Sequence, residues 1–206
     1  MSDRTKDTIR IICDYFLDNP DDFNCRKKDI SDPNSILGKK YISDVVDKYL
    51  NEDLEIKNLK TISDSLVSSI LELYYGHDEK SLKLINKSHR ESMAIENSIG
   101  NFLERYIFDE GYHYGWFICP GNLVKSIDFI KKNDDKWIKL QVKNRDNSEN
   151  SSSAAIRNNT DIIKWHRSFA YKDGDNWSMF PDDSLSKKLS EDGFMAYILK
   201  NLKPLS

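Results

Sequence analysis

The 206-residue sequence has little of what defines disulfide-rich, zinc-binding or membrane proteins. Its three cysteines are odd in number and far apart, and its four histidines show no spacing typical of zinc ligands. No run of about 18 apolar residues could span a bilayer, and the first residues have mixed charge without the apolar segment of a signal peptide. We therefore expect a cytoplasmic protein without structural disulfides or zinc.

A large excess of one charge is also missing. The chain carries 31 Lys or Arg against 34 Asp or Glu, and 38% of its residues are hydrophobic, which excludes a disordered or collagen-like chain and allows a substantial core. The charge is nevertheless uneven, because residues 120–172 sum to +5 and the remainder to −8. Such a basic segment suits a polyanionic partner, although a solvated surface would give the same pattern.

Apolar residues recur at helical spacing through the first half of the chain. The patterns end at Asn19-Pro20, at Gly76 and before Gly111, and the last of them forms either one helix or two that break near Lys87-Ser88. We expect residues 1–77 to be a helical N-terminal region, within the main domain or as a small subdomain, and residues 78–206 to hold the main core. The stripe expected to be buried before Gly76 consists of Ile62, Leu66, Ile70, Leu73 and Tyr74.

The periodicity changes after Gly111 to one typical of strands. Three strands of an antiparallel meander are predicted at 112–119, 123–132 and 137–143, with turns between them. A polar loop follows at 144–153, and a short helix opens at Ala154. A late strand is predicted at 177–180 and a closing helix at 185–202.

Three polar residues of the meander form a candidate catalytic group. Asp128 lies on the second predicted strand, and Gln141 and Lys143 share one face of the third because side chains alternate with a period of two. Carboxylate and amide oxygens are suitable ligands for Mg²⁺, and a lysine can stabilise the charge that develops during phosphodiester hydrolysis. A surface ion pair between Asp128 and Lys143 would explain the same residues without any catalysis.

A glutamate on the preceding helix extends this group. With Gly100 four residues before Glu104, and with the meander that follows, residues 92–170 resemble the PD-(D/E)XK nuclease superfamily. Within that superfamily, the stretch 141–153 is similar to type II restriction endonucleases of the SinI kind. The resemblance implies an α+β, restriction-endonuclease-like fold with a mixed β-sheet flanked by helices.

The resemblance also assigns roles to individual positions. Asp128 matches the metal-binding aspartate and Lys143 the catalytic lysine, while Gln141 stands where the family usually has Asp or Glu. The implied Mg²⁺ ligands are Asp128, Gln141 and Glu104, and the replacement of a carboxylate by Gln141 implies a weaker metal affinity. Glu96 lies two turns before Glu104 on the same helix and is the alternative glutamate.

The residues after the lysine are expected to contact DNA. Arginine suits guanine, asparagine suits adenine and glutamate suits cytosine in the major groove, while serines at a helix start suit phosphates. The candidates on or beside the loop 144–158 are Asn144, Arg145, Asp146, Asn147, Ser148, Glu149, Asn150, Ser151, Ser152, Ser153 and Arg157. Lys164, His166 and Arg167 are candidates for contacts with the DNA backbone.

The resemblance implies a Mg²⁺-dependent type II restriction endonuclease that leaves 5′-phosphate and 3′-hydroxyl ends. We expect a homodimer that cuts a short palindrome, since a two-fold protein matches two-fold DNA, and a companion DNA methyltransferase that protects the host. Two alternatives stay open at this point. Gln141 would also suit a sequence-specific DNA-binding protein that has lost catalysis, and the helical region would suit an interaction or scaffold protein.

Overall fold

The computed structural model describes residues 1–25, 27, 29–56, 62–146 and 161–202. Within these ranges the chain forms helices α1 (Asp3–Asp18), α2 (Ile36–Asn51), α3 (Ser65–Tyr75), α4 (Glu79–Gly111), α5 (Asp183–Ser186) and α6 (Glu191–Asn201). The strands are β1 (Phe117–Ile118), β2 (Phe129–Asn133), β3 (Lys136–Arg145) and β4 (Ile163–Ser168). Among the described residues, no helix combines the length and apolar character needed to cross a bilayer.

The long helix α4 carries the candidate glutamates. It begins where the Asp78 side chain accepts a hydrogen bond from the Ser81 backbone N–H, a typical N-cap. It then runs for 33 residues without interruption. The ion pair between Lys87 and Glu91, one turn apart, spans the position where a break was considered. The alternative of two helices is therefore wrong.

The four strands form one mixed sheet in the order β1-β2-β3-β4. β1, β2 and β3 pair antiparallel, as the predicted meander requires, while β4 pairs parallel to β3. The first two predicted strands are longer than those observed. Tyr112–Tyr114 is a 3₁₀ turn, and residues 123–128 pack against the core as a loop, so pairing starts only at Phe117 and Phe129.

Helices cover both faces of this sheet. Phe129 and Val142 face a core shared with α4 and α6, whereas Ile130 faces a second core shared with α1 and α2. Neighbouring residues of β2 thus point to opposite layers, as strand geometry requires. The predicted α+β class, with a mixed sheet between helices and a helical N-terminal region, is confirmed.

Two predictions for the C-terminal part are wrong. Trp177 and Phe180 are buried but lie three residues apart on a 3₁₀ turn, because one helical turn brings both rings to the same side. The single closing helix is two helices, α5 and α6, since the Ser190 hydroxyl accepts a hydrogen bond from Gly193 N–H and starts a new helix there.

The apolar stripe of α3 is not part of the core. No residue of α3 is buried, and the side chains predicted to be internal are 52% to 85% exposed: Leu66, Ile70, Leu73 and Tyr74. Ile62, which precedes the helix, is 97% exposed. Helical periodicity correctly predicts an amphipathic helix here, but the apolar side of α3 is not covered by any other described part of the chain.

Candidate active site

Asp128 directly precedes β2, and backbone hydrogen bonds to the segments on both sides hold it in place. Its N–H donates to Leu140 O at 2.9 Å, and its carbonyl accepts from Cys119 N–H at 2.8 Å. Its carboxylate oxygen Oδ2 accepts from Val142 N–H at 2.7 Å. The carboxylate is therefore fixed at the middle of β3 and cannot rotate freely.

The register of the sheet brings Gln141 and Lys143 to this carboxylate. Phe129 pairs with Leu140 in an antiparallel arrangement. Asp128, which precedes Phe129, therefore lies across from Gln141, which follows Leu140. Lys143 is two residues further on the same face of β3. Burial raises the pKa of the Asp128 carboxyl, while the hydrogen bond from Val142 N–H and the charge of the exposed Lys143 act in the opposite direction.

Glu104 of α4 completes the cluster. Its Oε2 atom accepts a hydrogen bond from the Tyr49 hydroxyl at 2.7 Å. Burial, and then the neighbouring Asp128 carboxylate, raise the pKa of Glu104 to about 7, while the hydrogen bond from Tyr49 and the charge of Lys143 act in the opposite direction. Glu104, Asp128 and Lys143 are thus close enough to interact electrostatically.

Glu96 does not share this environment. It is exposed on α4 two turns before Glu104, whereas Glu104 is half-buried beside the sheet. Of the two glutamates considered from the sequence, Glu104 is the one that the fold brings to Asp128.

Tyr49 is the member of the site that sequence reasoning did not identify. It lies near the end of α2, within the helical apolar pattern of Val45, Val46, Tyr49 and Leu50, which indicates only a buried helix face. Burial raises its pKa well above the usual range, and Glu104 and Asp128 act in the same direction, so the phenol remains a hydrogen-bond donor. The contact joins residues 55 positions apart, a separation over which local sequence patterns carry no signal.

Arg105, the next residue of α4, also binds the end of α2. Its guanidinium donates to the backbone carbonyls of Tyr49 and Leu50 at the end of α2. It also lies over the Tyr49 ring, 5.6 Å from the centroid. Consecutive residues of α4, Glu104 and Arg105, therefore bind the hydroxyl and the backbone of Tyr49, which holds the N-terminal helices against the site.

The donor set of this cluster fits a hard divalent cation. Glu104 and Asp128 supply carboxylate oxygens and Gln141 an amide oxygen, and Mg²⁺ is bound in proteins through one or two carboxylates together with water and substrate phosphate. Across the described part of the chain, no group of three His, Cys, Asp or Glu side chains could hold a metal ion. The candidate metal site thus has two carboxylates, Glu104 and Asp128, and its third oxygen donor, the Gln141 amide, is neutral.

Three of the candidate DNA contacts are held within the protein. The Arg167 guanidinium forms an ion pair with Glu191 of α6 and donates to Asn144 Oδ1 at 2.9 Å. Arg145 Nε donates to Phe169 O at 2.9 Å. These contacts brace the ends of β3 and β4 against each other.

Other candidates lie beside the cluster on β4. Lys164 pairs with Gln141 and His166 with Lys143 in the parallel register, so all four share one face of the sheet. The buried Nε2 atom of His166 has no hydrogen-bond partner within the described residues. Asp146 donates its backbone N–H to Ser168 O. The predictions for Asn147, Ser148, Glu149, Asn150, Ser151, Ser152, Ser153 and Arg157 lie outside the described residues, as does the short helix predicted from Ala154.

Comparison with known proteins identifies the family. The model of the SinI restriction endonuclease family matches residues 3–204. The type II restriction enzyme SinI of Salmonella infantis is 46% identical over 147 residues, which are 70% of this chain and 64% of that protein. The type II restriction enzyme Eco47I of Escherichia coli is 44% identical over 140 residues, or 67% of this chain and 61% of that protein.

The matched stretch thus spans somewhat less than two thirds of these curated relatives. Together with the fold, the match over nearly the whole sequence shows that the chain belongs to the SinI restriction endonuclease family.

Proposed function

We propose that this protein is a type II restriction endonuclease that hydrolyses phosphodiester bonds of double-stranded DNA at a specific site. The observation that carries the proposal is the cluster in which Glu104 of α4 lies beside Asp128, Gln141 and Lys143 of the central strand pair β2-β3. The two relatives described above bear the name of the same activity, which supports this assignment.

In this proposal the cation is Mg²⁺, held by Asp128, Glu104 and Gln141. When bound, it neutralises charge on the scissile phosphate and makes water a stronger nucleophile. Tyr49 orients the Glu104 carboxylate, and Val142 N–H orients that of Asp128. The exposed Lys143 ammonium lies where it could stabilise the negative charge that develops on the phosphate.

The face shared by β3 and β4 would lie against the DNA. Lys143 and Lys164 are exposed on it next to the cluster, with His166 beside Lys143. Cationic side chains supply most of the sequence-independent affinity for the phosphate backbone. We place base recognition in residues 144–158, whose residue types suit base edges. Arg145 and Arg167 would hold the end of β3, where this segment begins, through their contacts within the protein.

The rest of the assignment follows from the cutting of duplex DNA. A homodimer would place one cluster on each strand of a short palindrome, with 5′-phosphate and 3′-hydroxyl ends as products. A DNA methyltransferase would protect the host, and the protein would work in the cytoplasm. We also place α1 and α2 within the nuclease domain, since they cover one face of the catalytic sheet.

The test is digestion of phage λ DNA by the purified protein, with Mg²⁺ or with EDTA, followed by electrophoresis and sequencing of the ends. Discrete fragments that form only with Mg²⁺ and end at one common sequence are expected. DNA that stays intact with both Mg²⁺ and Mn²⁺ would contradict the proposal.

A second candidate function is sequence-specific DNA binding without cleavage. Gln141 favours it, because an amide in place of a carboxylate leaves the site with less negative charge to hold a cation. This candidate predicts binding to one DNA sequence, with an affinity that falls steeply with salt concentration, and no Mg²⁺-dependent fragments.

A further inference from the structure

The outer side of α3 presents an uncharged apolar surface to solvent. We call it the α3 stripe, and it consists of Leu66, Val67, Ile70, Leu73 and Tyr74, which are between 52% and 85% exposed. At 3.6 residues per turn these side chains fall within about 120° of the helix circumference, centred on Ile70. The stripe is therefore continuous along the whole helix.

The stripe faces away from the rest of the chain that the structure describes. α3 contacts α4, where Asn86 Nδ2 donates to Ser68 Oγ at 3.3 Å. Ser68 lies about 160° around the helix from Ile70. Because the side that contacts α4 is nearly opposite the stripe, α3 cannot bury its apolar side on the described part of the chain while keeping this packing.

We propose that the α3 stripe is the surface through which two copies of this chain dimerise. At about 150 Å² for each side chain, the lower end of the range for large side chains, and at 52% to 85% exposure, the stripe offers roughly 500 Å² of apolar surface. A standard protein interface buries about 800 Å² on each partner, of which somewhat more than half is apolar. The stripe alone thus supplies the apolar area that a stable dimer needs.

A second copy fits the chemistry of α3 better than DNA or a lipid surface does. α3 contains no Lys or Arg, and its one charged residue is Glu72, about 160° from Ile70. DNA and membrane surfaces are bound by helices rich in basic residues. Two stripes that meet across a two-fold axis place uncharged residues opposite each other, with no repulsion between like charges.

The proposed function gives a second reason to expect a copy of this chain on the α3 stripe, and this reason rests on that function. The described residues contain one cluster of Glu104, Asp128 and Lys143, whereas a duplex has two strands to cut. A partner copy docked through α3 would supply the second cluster. α3 is joined through α4 to the site, since Glu104 lies on the same helix as Asn86.

The test compares the oligomeric state of three single variants with that of the unchanged protein by sedimentation velocity at micromolar concentration. We expect the unchanged protein to be a dimer, and Ile70→Glu and Leu73→Glu to be monomers. Both substitutions lie on exposed positions, so their circular dichroism should be unchanged. Ser65→Glu introduces the same residue on the same helix, about 140° from Ile70, and should remain dimeric.

The proposal would be overturned if the unchanged protein is a monomer. It would also be overturned if both Ile70→Glu and Leu73→Glu remain dimers. Asp128→Asn separates this result from the proposed function. This variant should remain dimeric while losing cleavage. If the unchanged protein forms a dimer that depends on the stripe but does not cut DNA, the nuclease assignment is contradicted and the proposed dimer interface still holds. With plasmid DNA, the monomeric variants should form few linear products, because each binding event presents one cluster.

Discussion

At the scale of single residues, the site depends on a few directional contacts that hold two carboxylates together. The sequence correctly predicts that Asp128 and Lys143 meet, because a hairpin with alternating side chains fixes their relative position. It leaves Glu96 and Glu104 as alternatives, since both lie on one helix, and only the packing of α4 on the sheet distinguishes them. Tyr49 could not be predicted, because its contact depends on how α2 docks against α4.

The hydrogen bond from Tyr49 makes a first prediction. Tyr49→Phe keeps the ring and removes the hydroxyl that orients Glu104, so we expect the cleavage rate to fall about tenfold or more, since a hydrogen bond to a charged group contributes roughly 1.5–3 kcal/mol. The Mg²⁺ concentration for half-maximal cleavage should rise as well. Both quantities are measured on a labelled duplex under single-turnover conditions.

Tyr112→Phe is the matched control. It removes a phenol that donates to Asp7 at 2.6 Å, on a different part of the molecule. Its cleavage rate and Mg²⁺ requirement should stay within about twofold of the unchanged protein. If both variants behave alike, Tyr49 has no specific role in the site.

The raised pKa of Glu104 makes a second prediction, about stability. A carboxyl whose pKa rises from 4.5 to about 7 on folding binds its proton more tightly in the folded state. The free energy of unfolding of the metal-free protein should therefore include a contribution that is present below about pH 4.5 and is lost as the pH rises to about 7. The raised pKa of Asp128 acts in the same direction.

Urea unfolding in EDTA between pH 4.5 and pH 8 measures this effect. Glu104→Gln has no such proton, so its stability relative to the unchanged protein should increase as the pH rises. Added Mg²⁺ should stabilise the unchanged protein most at high pH, where both carboxylates are charged. A difference between the two proteins that stays constant with pH would argue against a raised pKa at Glu104.

At the scale of helices and strands, what the sequence predicts best is local. The ends of α1, α3 and α4 lie within one residue of Asn19, Gly76 and Gly111, where the apolar patterns end. Strand lengths and the 3₁₀ turn at Trp177 are predicted less well, because pairing partners decide where a strand ends. The stripe of α3 shows the same limit, since periodicity indicates an apolar side and does not show what covers it.

Two helical glycines give a third prediction at this scale. A Cβ atom on Gly38 in α2 would lie 2.1 Å from Asp32 O, so backbone would have to move. Gly38→Ala should therefore destabilise the fold by about 1–3 kcal/mol. Gly100 in α4 has nothing within 4 Å of the same position, and Gly100→Ala should stabilise the fold by about 0.5–1 kcal/mol.

Urea unfolding of both variants at one pH measures these changes. Because α2 also carries Tyr49, Gly38→Ala should reduce cleavage at temperatures where the protein is still folded, whereas Gly100→Ala should not. Equal effects of the two substitutions would contradict the close approach of α2 to the preceding turn.

At the scale of the whole molecule, the sheet acts as a platform between two helical layers. One layer, formed by α1 and α2, supplies Tyr49, and the other supplies Glu104 from α4, while Asp128, Gln141 and Lys143 come from the sheet between them. The sequence predicts the α+β class and the order of the central elements, because these follow from periodicity and from the resemblance carried by residues 92–170. It does not predict that the N-terminal helices help to form the site.

The most direct test of this account is the cleavage rate of Asp128→Asn and Lys143→Ala on a labelled duplex with Mg²⁺, alongside their DNA affinity. Asparagine retains an oxygen that can accept from Val142 N–H, so the fold should persist. We expect each substitution to lower the cleavage rate by roughly a thousandfold while the affinity for DNA changes far less. Asp135→Asn and Lys136→Ala, which are exposed at the turn between β2 and β3, should cut normally. Unchanged cleavage by both Asp128→Asn and Lys143→Ala would contradict the assignment of this cluster as the active site.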